Sequence, residues 1–379
     1  MATQRKSALV GVKRVVVKIG TSLSWDPKRG IDPRNLKALV AEIAGLRRKG
    51  LQVVIVASGA IGAGMYRLKL AERPKDVRYK QATAAVGQVY LMELVASVFE
   101  RYGLNTGQVL ISRQDLESGP RYFNARNTLE TLLTMGVVPV INENDTVAVD
   151  EIKFGDNDRL AALITNLVQA QLLVVLTDVD GLHDADPRQD KGAKRVSLVK
   201  GITAKLEAAA GGQGSVAGTG GMVTKLLAAR MATGNGEHVV IANGVRRGVL
   251  GKVLAGADIG TLFLATQPQG SRGLRWMPFS DGKRSELVVK RSAEARVKRT
   301  RSHLYPADIQ AVRGDFHAGD AVRLSDETGR TWAKAVCRLS AQDCARLKGK
   351  ELWQVEKLAG RLPNQELVAF EDIAFKQEF

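Results

Sequence analysis

Cysteine is nearly absent from this 379-residue chain, which has only Cys337 and Cys344. Two thiols build no disulfide framework, and their spacing is not that of a CxxC pair, so a reducing, cytoplasmic setting is expected. Histidine is almost as scarce: His183, His238, His303 and His317 are scattered, without metal-ligand spacing. No zinc site or Ser-His-Asp constellation is therefore expected. Long apolar runs are missing too, since no stretch approaches the roughly 18 uninterrupted apolar residues of a membrane span. The basic start MATQRKSALVGVKRVVVKIG is broken by Gly11, Lys13 and Arg14, so neither export nor membrane insertion is expected. Acidic residues are outnumbered, 39 Asp and Glu against 56 Lys and Arg, for a formal charge of +17. That surplus raises the question of an anionic partner: nucleic acid, membrane surface or phosphate substrate.

What is present reads as globular, with 45% apolar and 25% charged residues and a length that suits two or three domains. The runs RVVVKI, QVVIVA, VVPVIN, LLVVLT and HVVIA are near-continuous apolar strands, the kind buried on both faces of a parallel sheet. Amphipathic patterns alternate with them at Asn35 to Lys49, Lys80 to Arg101 and Asn157 to Gln169. The alternation predicts an α/β fold, a doubly wound, mostly parallel sheet sandwiched by helices, with ligand loops at the carboxyl ends of the strands. Residues 1–267 form this domain in our reading. The stretch 268–283, rich in Gly, Pro and Ser, reads as a linker, and 284–379 as a small β-rich domain. Its strand-like pieces are ELVV, DAVRLS, TWAKAV and LVAF, with a turn at Glu327-Thr328-Gly329 and a helix near Ala341 to Lys348.

Several segments carry candidate chemistry. Lys18, inside VVVKIG, is either aimed at phosphate from a strand end or is an edge lysine that snorkels to solvent. ASGAIGAG at 57–64 is a glycine-rich strand-to-helix turn that suits an anion or simply close packing. Six of the 24 acidic residues in positions 1–280 fall between Glu143 and Asp158. There, Asn142, Asp145, Asp156 and Asn157 could hold an amino-acid ammonium while Asp158 orients lysines; a solvated acidic hairpin is the alternative. TDVDGLHDADPRQD, from Thr177 and Asp178 onward, fails as a calcium loop and fits better beside a nucleotide. GTGGMVTK at 218–225 either wraps phosphates and ends in Lys225 at a helix start, or is a surface loop.

Taken together and in this order, VVVKIGTS, VIVASGAIGAG, VPVINENDTV, KFGDND, LLTDVDGL with DADPR, and GTGGMVTK closely resemble the glutamate 5-kinases of the amino acid kinase family over about residues 12–267. VRGDFHAGDAVRLSDETGRTWAKAV resembles a PUA domain, a small β-barrel, although Lys290 and Ser292 stand where relatives carry aspartate and glycine. The resemblance implies the amino acid kinase fold and transfer of the ATP γ-phosphoryl group to the γ-carboxylate of L-glutamate, opening proline biosynthesis. By resemblance, Lys18 and Lys225 bracket the transferring group and Asp158 orients them, with backbone N–H groups near Gly20 and Gly59 assisting. Ser58, Gly59, Asn142, Asp145, Asp156 and Asn157 would fix glutamate. Lys18, Thr177, Asp178, Thr219, Gly220, Gly221, Met222, Val223, Thr224 and Lys225 would line the nucleotide site. Mg²⁺ would arrive with ATP, held by phosphates and water, so no protein metal ligand is named. A homo-oligomer, feedback inhibition by proline and delivery of product to glutamyl phosphate reductase are further implications, and RNA binding through the PUA-like domain is another. The competing readings are an RNA-binding or RNA-modifying protein, and a sister kinase acting on another acceptor.

Charge by region weakens the nucleic-acid reading. Residues 1–280 hold 37 basic and 24 acidic groups, whereas 281–379 hold 19 and 15. The surplus concentrates in two patches, at 28–49 and 284–301.

Overall fold

The computed structural model describes residues 2–20, 25–26, 30–31, 33–112, 115–116, 119–147, 157–185, 190, 192–209, 221–266, 285–359 and 366–375. The expected linker, 268–283, lies outside these residues. Two compact units emerge: Met1–Arg113 with Arg126–Gln267, and Gln114–Ala125 with Pro268–Phe379.

The first unit holds β1 (Arg14–Ile19), the small antiparallel pair β2 (Trp25–Asp26) and β3 (Gly30–Ile31), then β4 (Gln52–Val56), β5 (Thr106–Ile111), β6 (Val138–Glu143), β7 (Leu172–Thr177), β8 (Leu198–Val199), β9 (His238–Asn243) and β10 (Thr261–Phe263). All but β2 and β3 form one sheet in the order β5-β6-β4-β1-β7-β9-β10-β8. Its first six strands run parallel, β10 opposes β9, and β8 follows β10. Val15, Val16 and Val17 are at most 1% exposed, so β1 is covered on both faces, which is why its sequence shows no alternation. The helix Pro33–Arg48 buries Leu36, Leu39, Val40, Ile43 and Leu46 in the same core. Successive strands leave β1 on opposite sides, β4 on one and β7 on the other, and this reversal opens a crevice at the carboxyl end of β1.

The helix Val77–Glu100 packs against Ala60–Leu68 at unusually short range. A Cβ on Gly87 would lie 1.8 Å from the Ala60 carbonyl oxygen, and one on Gly64 would lie 1.9 Å from that of Thr83. The glycines of ASGAIGAG therefore divide the work: Gly59, at φ 110°, turns the chain into the helix, and Gly64 lets two backbones touch. By length and composition Val77–Glu100 could cross a bilayer, with a mean hydropathy of 1.5 over 18 residues, although it lacks the uninterrupted apolar run considered above. Here Thr83, Ala84, Gly87, Gln88, Leu91, Val95, Val98 and Phe99 are buried in the protein. Sequence patterning did not anticipate the helices Ala2–Leu9 and Gly119–Thr134, or the edge strand β5.

The second unit contains β11 (Glu286–Val289), β12 (Ile309–Arg313), β13 (Ala321–Ser325), β14 (Thr331–Val336) and β15 (Ile373–Phe375), ordered β12-β11-β13-β14-β15. Leu287, Val289, Leu324, Trp332 and Ala335 face its core. The expected turn is present, with the Gly329 N–H donating to Asp326 O at 3.0 Å. LVAF is not a strand: Val368 makes one bridge to Leu304, a 3-10 turn follows at Phe370–Asp372, and pairing resumes only at β15. Lys290 sits at the N-cap of helix Arg291–Thr300 with no side-chain capping bond, since an ammonium has no acceptor to offer. Cys337, after β14, and Cys344, on helix Ala341–Leu347, are buried with their Sγ atoms 3.4 Å apart. The hydrogen bond between the two thiols holds the Cys337 pKa down and, with burial, pushes that of Cys344 up.

Candidate active site

Lys18 is the penultimate residue of β1, so the apolar run that precedes it carries its ammonium to the crevice. Only 7% of the residue is exposed, which removes the snorkelling alternative. Across the crevice, the helix Asn157–Leu167 presents Asp158, and the helix Met222–Gly234 presents Lys225 in its first turn. Lys18 Nζ is 2.6 Å from Asp158 Oδ1, and Lys225 Nζ is 3.2 Å from Oδ2. Thr224 Oγ1 is 2.9 Å from the same Oδ2 and also 2.9 Å from Gly221 O. Burial alone would push the Asp158 carboxyl up. The two ammoniums and the hydroxyl outweigh that and bring its pKa down to about 2. The stability linked to this ionisation is present above about pH 4 and is lost as the pH falls towards the folded-state value of about 2.

Beside this charge cluster lies a neutral amide network. The Asn157 side-chain amide has the Ala57 carbonyl at 2.7 Å, Ser58 Oγ at 3.0 Å and Asn142 Oδ1 at 2.9 Å. Asn142 accepts in addition from the Glu143 N–H at 2.9 Å and donates to Gln88 Oε1 at 2.8 Å. Ser58 shortly follows β4 and Asn142 is the penultimate residue of its parallel neighbour β6, so the sheet itself sets their separation. Gln88 is a member that sequence reading missed. Its signal was a polar residue on the buried face of ATAAVGQVYL, directly after the glycine that touches Ala60.

Asp145 is half-buried in the turn after β6, and burial raises its pKa to about 6 while the positive charge of Arg73 opposes the rise. A carboxylate held this close to neutrality would gain from an incoming ammonium. If Asp145 binds the substrate amine, the glutamate KM should rise as the pH falls below about 6, by roughly tenfold per unit, because the protonated carboxyl carries no charge. Initial rates between pH 5 and 8 check this, and Asp145→Asn should abolish the dependence while leaving the ATP KM level.

On the other side of β1, Thr177 ends β7 buried, with its hydroxyl 3.1 Å from Asp178 Oδ1. Asn243, at the end of β9, donates to the Asp178 carbonyl at 3.2 Å, so both strand ends meet at one loop. Gly221 and Met222 begin the Lys225 helix half-buried, and Val223 is exposed. The Gly20 N–H donates to Leu176 O at 3.2 Å within the sheet. The Thr224 hydroxyl joins the Asp158 cluster. Asp156, Thr219 and Gly220 lie outside the described residues.

No group of three or more His, Cys, Asp or Glu suited to a metal ion occurs among the described residues, and the Asp158 oxygens are already shared by two lysines. This donor set fits a cation that arrives with a nucleotide and keeps phosphate oxygens and water as ligands.

The sequence was also compared with known proteins. The amino acid kinase family profile matches residues 13–243, and the PUA domain profile matches 285–358. The chain is 44% identical over 356 residues to a glutamate 5-kinase of Citrifermentans bemidjiense, covering 94% of this chain and 95% of that one. It is 41% identical over 373 residues to a glutamate 5-kinase of Syntrophotalea carbinolica, covering 98% and 100%. Among solved structures, a UMP kinase from Bacillus anthracis aligns with a TM-score of 0.48 at 17% identity, covering 67% of this chain and 96% of its own.

Proposed function

The chain belongs to the amino acid kinase family, and from that premise we infer that it acts as a glutamate 5-kinase, moving the γ-phosphoryl group of ATP to the side-chain carboxylate of L-glutamate. The product, L-glutamyl 5-phosphate, opens proline biosynthesis. One observation carries the reading of the site: two lysines from different elements converge on one buried carboxylate at the crevice where the strand order reverses.

The acceptor carboxylate is ionised at neutral pH, so the reaction asks for alignment and charge stabilisation rather than a general base. This suits a site built from lysines, amides and backbone. In our assignment Lys18 and Lys225 flank the transferring phosphoryl group and neutralise charge that spreads over its oxygens. Asp158 holds both ammoniums in place, and Thr224 fixes the carboxylate in turn. Ser58, Gly59, Asn142, Asp145, Asp156 and Asn157 orient glutamate. Thr177, Asp178 and residues 219–223 line the nucleotide. Mg²⁺, bound to the nucleotide, would offset charge on the β- and γ-phosphates.

The proposal extends to the chain's organisation and partners. Residues 1–267 are the catalytic domain, 268–283 a linker and 284–379 the PUA-like domain. Cytoplasmic location rests on the scarcity of cysteine, while homo-oligomerisation, hand-over to glutamyl phosphate reductase and RNA contact through the second unit are inferences from family resemblance.

A single assay separates the readings: ATP and Mg²⁺ with glutamate, aspartate, acetylglutamate or a nucleotide, following ADP and trapping acyl phosphate with hydroxylamine. Glutamate-dependent ADP with trapped hydroxamate is expected. Turnover only with another acceptor, or none at all, would overturn the reading.

A further inference from the structure

The helix Ala2–Leu9 has the sequence ATQRKSAL, which offers little apolar surface; Leu9 and the half-buried Ala8 join the core. It is anchored instead by Arg5, whose side chain has no solvent exposure. The guanidinium's donors reach four backbone carbonyls: Nε to Ala257 O at 3.0 Å, Nη1 to Ser197 O at 2.5 Å and Gly260 O at 3.5 Å, and Nη2 to Ile259 O at 2.6 Å. Asp258 Oδ1, paired with Arg195 at 3.0 Å, lies 3.8 Å from the Arg5 guanidinium. The turn also meets the helix backbone directly, since a Cβ on Gly256 would lie 2.7 Å from Lys6 Cα.

This turn continues into Thr261, which accepts the Leu182 N–H at 2.9 Å through Oγ1 and donates to Val196 O at 2.6 Å. Gly181, at φ 130°, approaches so closely that a Cβ there would be 2.6 Å from Thr261 Oγ1. The Val196 N–H then closes back on Leu182 O at 2.8 Å. Gly181 and Leu182 belong to the loop that follows Thr177 and Asp178, so polar contacts joined by the covalent step from Gly260 to Thr261 connect Arg5 to that loop.

We propose that Arg5 is a positioning residue for the nucleotide loop: it clips the 257–260 turn, which through Thr261 sets the backbone of Gly181 and Leu182 and so the placement of Thr177 and Asp178. The proposal rests on the assignment of that loop to ATP. Arg5→Met should raise the ATP KM about fivefold or more while kcat and the glutamate KM stay within about twofold. Thr261→Val leaves the Arg5 bonds in place and removes the Oγ1 links to Leu182 and Val196, so it should reproduce the ATP-selective effect; Thr261→Ser, which keeps the hydroxyl, should return the ATP KM to the wild-type value. If Arg5→Met does not fold, the Thr261 pair decides. An unchanged ATP KM in Thr261→Val, or equal rises in both KM values, overturns the proposal. Asp178→Ala separates the two levels: a silent Asp178→Ala removes the ATP assignment itself, whereas an Asp178 effect beside a silent Arg5→Met and a silent Thr261→Val removes the clip alone.

Discussion

Lys225→Ala is expected to lower kcat at least about a hundredfold, or about 2.7 kcal/mol of transition-state stabilisation, with both KM values changed far less. The asymmetry follows from when the charge is needed. In the assignment proposed above, glutamate and ATP keep other contacts in the ground state, whereas the lysines are placed to stabilise the charge distribution of the transition state more than that of bound ATP. Lys18→Ala should behave alike, because the two ammoniums approach one carboxylate from opposite sides at 2.6 and 3.2 Å. Either substitution also leaves Asp158, which has no exposed surface, with one cation instead of two, so its carboxyl pKa rises. Removing one partner of a buried ion pair typically costs about 3–5 kcal/mol of stability, and the remaining lysine should keep the loss towards or below the lower end. Single-turnover phosphoryl transfer, with a thermal melt on the same sample, separates the two effects. Wild-type turnover in a folded variant of either lysine would remove the pair from the chemistry.

The second large effect is expected far from any charge. Gly87→Ala places a methyl carbon 1.8 Å from the Ala60 carbonyl oxygen and 2.3 Å from the Gly64 nitrogen, and both obstacles are backbone. No rotamer change can relieve such contacts, so the helices Ala60–Leu68 and Val77–Glu100 must separate. A loss of about 3 kcal/mol or more is expected, a fall of roughly 6–12 °C in Tm for a unit of this size. The functional consequence is specific. Ser58 and Gly59 lie at the start of one helix, and Gln88, next to Gly87 on the other, holds Asn142. The glutamate KM should therefore rise more than the ATP KM in whatever fraction remains folded. Gly45→Ala is the matched control, since a Cβ there meets only an arginine side chain at 3.9 Å, and it should leave stability level or slightly raised. Equal melts for the two variants would refute the close-contact account.

The elements most legible in the sequence were those whose residues see one kind of environment. β1, β4, β6, β7 and β9 are buried on both faces, so their apolar runs announced them. β5 shows mixed burial at the sheet edge, and its TGQVLI carries no such signal. The helix Ala2–Leu9 escaped because its anchor is one arginine rather than an apolar stripe. Lys18, Asp158 and Lys225 were each open to a bland reading on their own residues, and it was the resemblance carried by six motifs in order that joined them into one site. Distances between elements were not legible: nothing in the chain says that Gln88 reaches Asn142, or that the Gly20 N–H turns to Leu176. Gly64 was legible as a glycine but not as a contact between helices, since its partner lies in the next helix at Thr83.

The chain's poverty in cysteine has a practical side. Both sulfhydryls lie in the second unit, side by side at 3.4 Å and shielded from solvent, while the first unit has none. A thiol reagent is therefore blind to the first unit and registers only the opening of the second. The protein thus carries a built-in reporter of the opening of its second unit, with no label introduced.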